Sequence, residues 1–95
     1  MAAYFIVDLD VRNPKDLEGY RRDVPATIEK YGGRFLVRGG AFEVLEGSWV
    51  PKRLVVLAFP TMQALKQWHA SEDYRPLMVQ RKSASSANAV AVEGV

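Results

Sequence analysis

The chain has no cysteine and a single histidine, His69, among its 95 residues. Disulfides and thiolate metal sites are therefore excluded, and one imidazole with no second one nearby does not form a metal site by itself. Neither glycine-rich phosphate-binding pattern, GxGxxG or GxxxxGK[ST], occurs in the sequence. The sequence therefore predicts no bound metal and no tightly held cofactor.

A large excess of charge and a long apolar run are also missing. The 13 basic and 11 acidic residues leave a net charge of +2, which attracts nucleic acid only weakly. The strand pattern RLVVLAF also lacks the exposed aromatic residues with which plait-like RNA-binding sheets stack bases. No segment approaches the roughly 20 apolar residues of a membrane span, and Asp8 interrupts the apolar run near the beginning. We expect a cytoplasmic protein that binds neither nucleic acid nor membrane.

The segments that are present alternate between strand and helix patterns. Residues 3–9, AYFIVDL, are typical of a strand. Asn13-Pro14 is typical of a helix start, with Asn13 as the N-cap, and apolar residues at helical spacing continue to Tyr31. Pro25 falls inside that pattern and predicts a kink or a break. Gly32-Gly33 predicts the end of the helix.

The second half contains more strand patterns. Arg34 to Arg38 and Phe42 to Leu45, separated by Gly39-Gly40, predict a bent strand or two short ones, and Lys52 to Phe59 predicts a strongly apolar strand. Thr61 is the expected N-cap of a helix containing Trp68, and Ser71 that of a helix from about Glu72 to Ser83. Ala87 to Glu93 predicts a final strand. The order indicates one α+β domain over residues 1–95, a ferredoxin-like plait with an antiparallel sheet and helices on one face.

The two most apolar strands are apolar on both faces, as YFIVDL and LVVLAF show. The helices cover only one face of such a sheet. Leaving three or four of these side chains in water forfeits about 1.5–3 kcal/mol each. Because two-fold homodimers are the commonest soluble assembly, we expect a second copy of the chain to cover the other face.

These features resemble the DUF1330 family, small bacterial proteins of the dimeric α+β barrel superfamily. The likeness extends over the whole chain and is carried by Tyr4, Gly32-Gly33, Arg38-Gly39-Gly40, Leu45-Glu46-Gly47, Trp68, Ser71, Tyr74, Arg81 and Glu93-Gly94. The resemblance implies a homodimer whose sheets pack face to face into a barrel. It implies no settled activity, although related barrels include cofactor-free monooxygenases, lactone isomerases and haem-handling proteins, so it bears only weakly on chemistry.

Arg81 is the most informative candidate for a site. It occupies the position after Tyr74, Leu77 and Met78 on the apolar stripe of its helix, where a hydrophobic residue is expected. Buried arginines are normally paired, so one interpretation pairs Arg81 with Asp8, Glu46 or backbone carbonyls. In the other interpretation, its planar guanidinium binds the carboxylate of a ligand.

Other candidate ligand-binding residues are Tyr4, Arg38, Trp68 and Tyr74. Arg38 lies beside paired glycines, which either let a ligand approach the backbone or simply form a turn. The aromatic residues suit an apolar or planar ligand, and equally suit ordinary core packing.

Asp8 and His69 are the weaker candidates, for acid–base chemistry. An aspartate in a half-apolar cavity has a raised pKa and acts as a base, whereas strand-end carboxylates more often cap turns or pair with arginine. His69 lies in the last turn of its helix, where the dipole favours a cationic imidazole. No Ser-His-Asp arrangement is recognisable.

Two functions follow from these residues. The first is a homodimeric small-molecule protein that binds a small anionic or aromatic metabolite, either by binding alone or as a cofactor-independent enzyme. The alternative is a non-catalytic interaction module whose polar residues serve the dimer interface. An unpaired Arg81 facing a cavity favours the first, and an Arg81 bonded to protein favours the second.

Overall fold

A computed structural model describes residues 1–95 as a four-stranded antiparallel sheet with helices on one face. The elements in chain order are β1 (Ala3–Val11), α1 (Glu18–Lys30), β2 (Arg34–Arg38), β3 (Leu54–Phe59), α2 (Met62–His69), α3 (Arg75–Ala84) and β4 (Ser85–Glu93). The strand order is β2-β3-β1-β4, with all neighbours antiparallel. This confirms the predicted ferredoxin-like α+β fold. None of the helices has the length and apolar character needed to cross a membrane.

The core lies between the sheet and the helices. In β1, Phe5, Val7 and Leu9 alternate toward the helices and are buried. The register places Phe5 opposite Leu57 and Val7 opposite Val55, so β3 contributes to the same face. Full burial of a large apolar side chain contributes about 1.5–3 kcal/mol, which makes this face the main source of stability.

The first helix differs from its prediction at both prolines. Asn13 makes no side-chain capping bond, and Pro14 opens a short 3-10 turn, Pro14–Leu17, before α1. Of the kink or break predicted at Pro25, the break is absent, because α1 continues through this residue from Glu18 to Lys30. Proline lacks the N–H that would bond the carbonyl of Arg21, four residues earlier. That carbonyl instead accepts a hydrogen bond from Arg38 Nη2 at 2.9 Å.

The predicted strand at Phe42 to Leu45 is wrong. β2 ends at Arg38, and residues 39–53 form a loop, so β3 begins at Leu54 rather than Lys52. The end of this loop is bound to the carboxylate of Asp8, which accepts hydrogen bonds from Lys52 N at 2.8 Å and from Trp49 Nε1 at 3.1 Å. These bonds fasten the end of the loop to β1 without a further strand.

The other helix ends largely follow the sequence. α1 ends before Gly32, which has a φ of +80°. Thr61 caps α2 by accepting a hydrogen bond from Ala64 N at 3.1 Å. Ser71 Oγ accepts from Tyr74 N at 3.1 Å, but it caps a preceding turn, so α3 begins at Arg75 rather than near Glu72. β4 begins at Ser85, two residues before the expected Ala87.

The other face of the sheet has no helix over it. Tyr4 and Ile6 point to this face and lie opposite Ala58 and Val56 on β3, and opposite Val92 and Val90 on β4. Val90 and Val92 are 59% and 46% exposed. The protomer therefore presents an apolar sheet surface, which we call the open face.

Candidate functional site

A cavity of about 50 Å³ lies between the sheet and the helices α1 and α3. Twelve of its 16 lining residues are hydrophobic, and the remainder are Arg21, Arg38, Arg53 and Arg81. No acidic residue lines it. An apolar cavity whose only charged groups are guanidiniums is suited to bind an anion with an apolar body.

Arg81 is buried in the wall of this cavity and is only 7% exposed. The two ion pairs of the chain, Arg22–Asp23 and Lys30–Asp73, do not include it, and its guanidinium donates none of the side-chain hydrogen bonds. None of the predicted partners bonds it: Asp8 binds the loop end, Glu46 lies in a hollow formed by the loop, and no backbone carbonyl accepts from the guanidinium. No fully enclosed side-chain nitrogen or oxygen lacks a partner, so the unbonded guanidinium nitrogens of Arg81 keep some access to solvent. Arg81 is also among the residues that line the cavity.

Two tyrosines and a tryptophan form the neighbouring wall. The hydroxyl oxygens of Tyr20 and Tyr74 are 3.2 Å apart, and Tyr74 is fully buried. Burial, and then the neighbouring Tyr74, raises the pKa of the Tyr20 hydroxyl far above its ordinary range, so this hydroxyl stays neutral. Trp68 Nε1 donates to Thr27 Oγ1 at 3.1 Å, which leaves only its apolar ring for the cavity.

Arg38 is held at the rim of the cavity by two contacts. Its Nη2 bonds the Arg21 carbonyl that Pro25 leaves free, and its guanidinium carbon lies 4.3 Å from the centroid of the Phe35 ring. Stacking and a backbone bond together fix a long side chain that otherwise moves freely at an exposed position.

Arg53 joins the rim because Gly39 has no side chain. The Arg53 guanidinium lies directly against Gly39, where any Cβ would collide with it, and Gly39 has a φ of +71°. Burial, and then the charges of Arg21 and Arg38, lowers the pKa of Arg53. The three guanidiniums therefore repel one another with no carboxylate among the lining residues to balance them.

The structure brings four of the five predicted ligand-binding residues to this cavity, namely Arg38, Trp68, Tyr74 and Arg81. Tyr4 lies on the open face, because strand residues alternate and Phe5 takes the position facing the helices. Arg21 and Arg53 were missed by sequence reasoning, whereas helical spacing had placed Tyr20 on an inward stripe as core or cavity lining. The available signal for Arg53 was the Arg38-Gly39-Gly40 segment, interpreted only as a turn or as an approach for a ligand.

Asp8 is not placed to act as a base. It lies on the open face, as expected, but the backbone amide of Lys52 is the main cause of a lowered pKa, with Trp49 and Arg53 also donating to it. Of the two interpretations of Asp8, the raised pKa is wrong, because the hydrogen bonds to the carboxylate outweigh its partial desolvation. The other interpretation, a strand-end carboxylate that caps a turn, agrees with its bonds to the loop.

The surroundings of His69 disfavour the cationic form of its imidazole. It is half-buried at the end of α2 beside Phe5 and Tyr74, with ring centroids 5.6 and 5.9 Å away. Burial, followed by the charges of Arg81 and Lys82, lowers its pKa. Desolvation here outweighs the helix dipole that favoured the cationic form.

This arrangement predicts the titration of His69, which gives a single imidazole signal in NMR because it is the chain's only histidine. We expect an apparent pKa below the ordinary value of about 6.5. Arg81→Gln should raise it, and Lys66→Gln, an exposed control on the same helix, should not. The unfolded chain binds the proton more readily, so stability should fall as the pH drops below about 6.5 toward the folded pKa. A wild-type pKa at or above the ordinary value would contradict this geometry.

Solved structures with a similar fold come from several bacteria. A protein of unknown function from Rhodopseudomonas palustris aligns with a TM-score of 0.77 at 15% identity, covering 99% of this chain and 82% of that one. SnoaB, a cofactor-independent oxygenase from Streptomyces nogalater, aligns with a TM-score of 0.69 at 13% identity, covering 99% and 93%. A putative antibiotic biosynthesis monooxygenase from Nitrosomonas europaea aligns with a TM-score of 0.58 at 15% identity, covering 99% and 90%.

These identities are low, so the structural similarities establish the fold and not the chemistry. No curated protein matches the chain significantly. Residues 2–95 match the family described as a domain of unknown function, DUF1330, over nearly the whole chain. The chain therefore belongs to the DUF1330 family.

Proposed function

We propose that the protein binds a small anionic metabolite in the cavity between the sheet and the helices. The observation that carries the proposal is Arg81, which is 7% exposed and has no carboxylate or carbonyl partner in the chain. Burying an unpaired charge costs several kcal/mol, so a protein retains one where a ligand supplies the opposite charge. A carboxylate fits the planar fork of the guanidinium with two parallel hydrogen bonds.

The neighbouring groups support binding and orientation of such a ligand. The Trp68 ring and the Tyr20–Tyr74 hydroxyl pair line the same cavity. Because one hydroxyl of the pair donates to the other, one O–H remains to donate to a ligand. The fold shared with a cofactor-independent oxygenase is consistent with a small-molecule role. It does not indicate a particular reaction.

The test is a thermal-shift screen of small carboxylates and aromatic acids. A ligand at 100 times its Kd adds about 2.7 kcal/mol of stability. For a domain of this size, each kcal/mol raises Tm by roughly 4–8 °C. We expect a shift with wild type that Arg81→Gln loses while still folding. Arg22→Gln, which removes an exposed arginine paired with Asp23, should retain the shift.

Two outcomes would refute the binding proposal. One is a screen in which no compound shifts wild type. The other is a shift that Arg81→Gln retains in full, since the arginine would then have no part in binding.

We also propose that a second copy of the chain covers the open face, as the resemblance to dimeric barrels implies. The open face carries Tyr4, Ile6 and Val56, together with the exposed Val90 and Val92. Covering these side chains would recover hydrophobic stabilisation that the 95-residue protomer lacks. This surface also favours the alternative function, an interaction module without catalysis, in which Arg81 serves the assembly rather than a ligand.

Sedimentation tests the dimer with a matched pair of variants. Val90 on the open face and Val79 on α3 are 59% and 63% exposed, so aspartate at either position leaves the protomer core intact. Val90→Asp should give a monomer at a concentration where wild type and Val79→Asp are dimers. A monomeric wild type would overturn the dimer, and dissociation by Arg81→Gln would favour the interaction module.

A further inference from the structure

The positive charges of the cavity form two groups on different sides of it. Arg81 comes from α3, which packs on β4 and α1, whereas Arg38 ends β2 and Arg53 immediately precedes β3. Because β2 and β4 are the opposite edges of the sheet, these elements lie on different sides of the core. Tyr20 lies between the groups, since it bonds Tyr74 and senses the charges of both Arg81 and Arg38.

Arg38 and Arg53 form the second group of charges, at the rim of the cavity, and we call them the rim group. Specific backbone features position both side chains. Pro25 frees the Arg21 carbonyl that orients Arg38, and Gly39 makes the space that Arg53 occupies. Close guanidiniums with no counter-charge repel one another, so this packing carries a cost that a bound anion removes. An anion bound at Arg81 alone does not remove the repulsion between the guanidiniums at the rim.

The volume limits the body of the ligand. An engineered apolar cavity that admits benzene measures roughly 150 Å³, whereas this cavity measures about 50 Å³. An aromatic ring is therefore too large to be enclosed here. The two methylene groups that join the carboxylates of succinate are smaller than a ring, and the carboxylates themselves would lie at the arginines. The hydrophobic wall formed by Val55, Leu57 and Phe5 suits methylene groups.

We propose that the ligand is a short aliphatic dicarboxylate, with one carboxylate on Arg81 and the other on the rim group of Arg38 and Arg53. This inference rests on the proposed function, and it narrows the ligand class from small anions to dianions without a ring. The two ends are bound by different elements, so the separation of the carboxylates is selected as well as their charge.

The experiment is isothermal titration calorimetry with succinate, butyrate and benzoate. Succinate and butyrate have the same number of carbons and differ in the second carboxylate, and benzoate supplies a ring with one carboxylate. The proteins are wild type, Arg81→Gln, Arg53→Gln and the exposed control Arg22→Gln. We expect succinate to bind wild type at least about tenfold more tightly than butyrate, the gain of one charge-assisted contact.

The variants separate the two groups of charges. Arg53→Gln should reduce the advantage of succinate over butyrate, because it removes one of the two rim arginines, whereas Arg81→Gln should weaken both ligands. Arg22→Gln should behave as wild type.

The outcomes also separate this inference from the proposed function. If succinate and butyrate bind equally, or benzoate binds more tightly than succinate, the dicarboxylate assignment is overturned while anion binding at Arg81 stands. If Arg53→Gln leaves the preference for succinate unchanged, the rim group has no such role. If Arg81→Gln alters no affinity, the proposed function itself fails.

Discussion

The buried guanidinium of Arg81 is the constraint on which the site depends. Arg81 lies on the apolar stripe of α3, at a position where a hydrophobic residue is expected, and no group of the chain balances its charge. Its field contributes to the lowered pKa of His69 and reaches the hydroxyl of Tyr20. A charge in this environment is costly unless a binding partner compensates it, and this is the physical basis for assigning a ligand to the cavity.

The rim of the cavity shows how local backbone features place distant side chains. Pro25 costs α1 one hydrogen bond, and the carbonyl so released orients Arg38 from β2. Gly39 directly follows β2, and its missing side chain leaves space for the guanidinium of Arg53. Considered alone, Pro25 would be interpreted as a helix breaker and Gly39 as a turn former. In the structure, each of them positions an arginine.

The architecture could be predicted from the sequence because it follows from periodicity. Alternation in residues 3–9 and the helical spacing before Gly32 were enough to indicate the element order of the plait. The errors lie where a single tertiary contact decides the local structure. Residues 42–45 lie in a loop whose end is bonded to the Asp8 carboxylate. α1 continues through Pro25, and Arg38 bonds the carbonyl that this proline leaves free.

Site residues could be predicted where helical spacing shows which side chains face the core, as for Tyr74 and Arg81. Site residues could not be predicted where the position of a side chain depends on which face of a strand it occupies or on a contact with a distant part of the chain. Tyr4 proved to be on the open face, and Arg53 reaches the cavity only through its contact with Gly39. Tyr20 was assigned to an inward stripe, but its hydroxyl pair with Tyr74 joins residues 54 positions apart, which periodicity does not reveal.

The most direct test of the account is the free energy of unfolding of Arg81→Met, measured by urea denaturation without ligand. An unpaired buried arginine contributes nothing to stability that methionine lacks, so the variant should be as stable as wild type or more stable, by up to about 4 kcal/mol. A loss of about 3–5 kcal/mol would mean that Arg81 balances a buried carboxylate, in the protomer or in a partner copy. That result would contradict the claim that the arginine is reserved for a ligand.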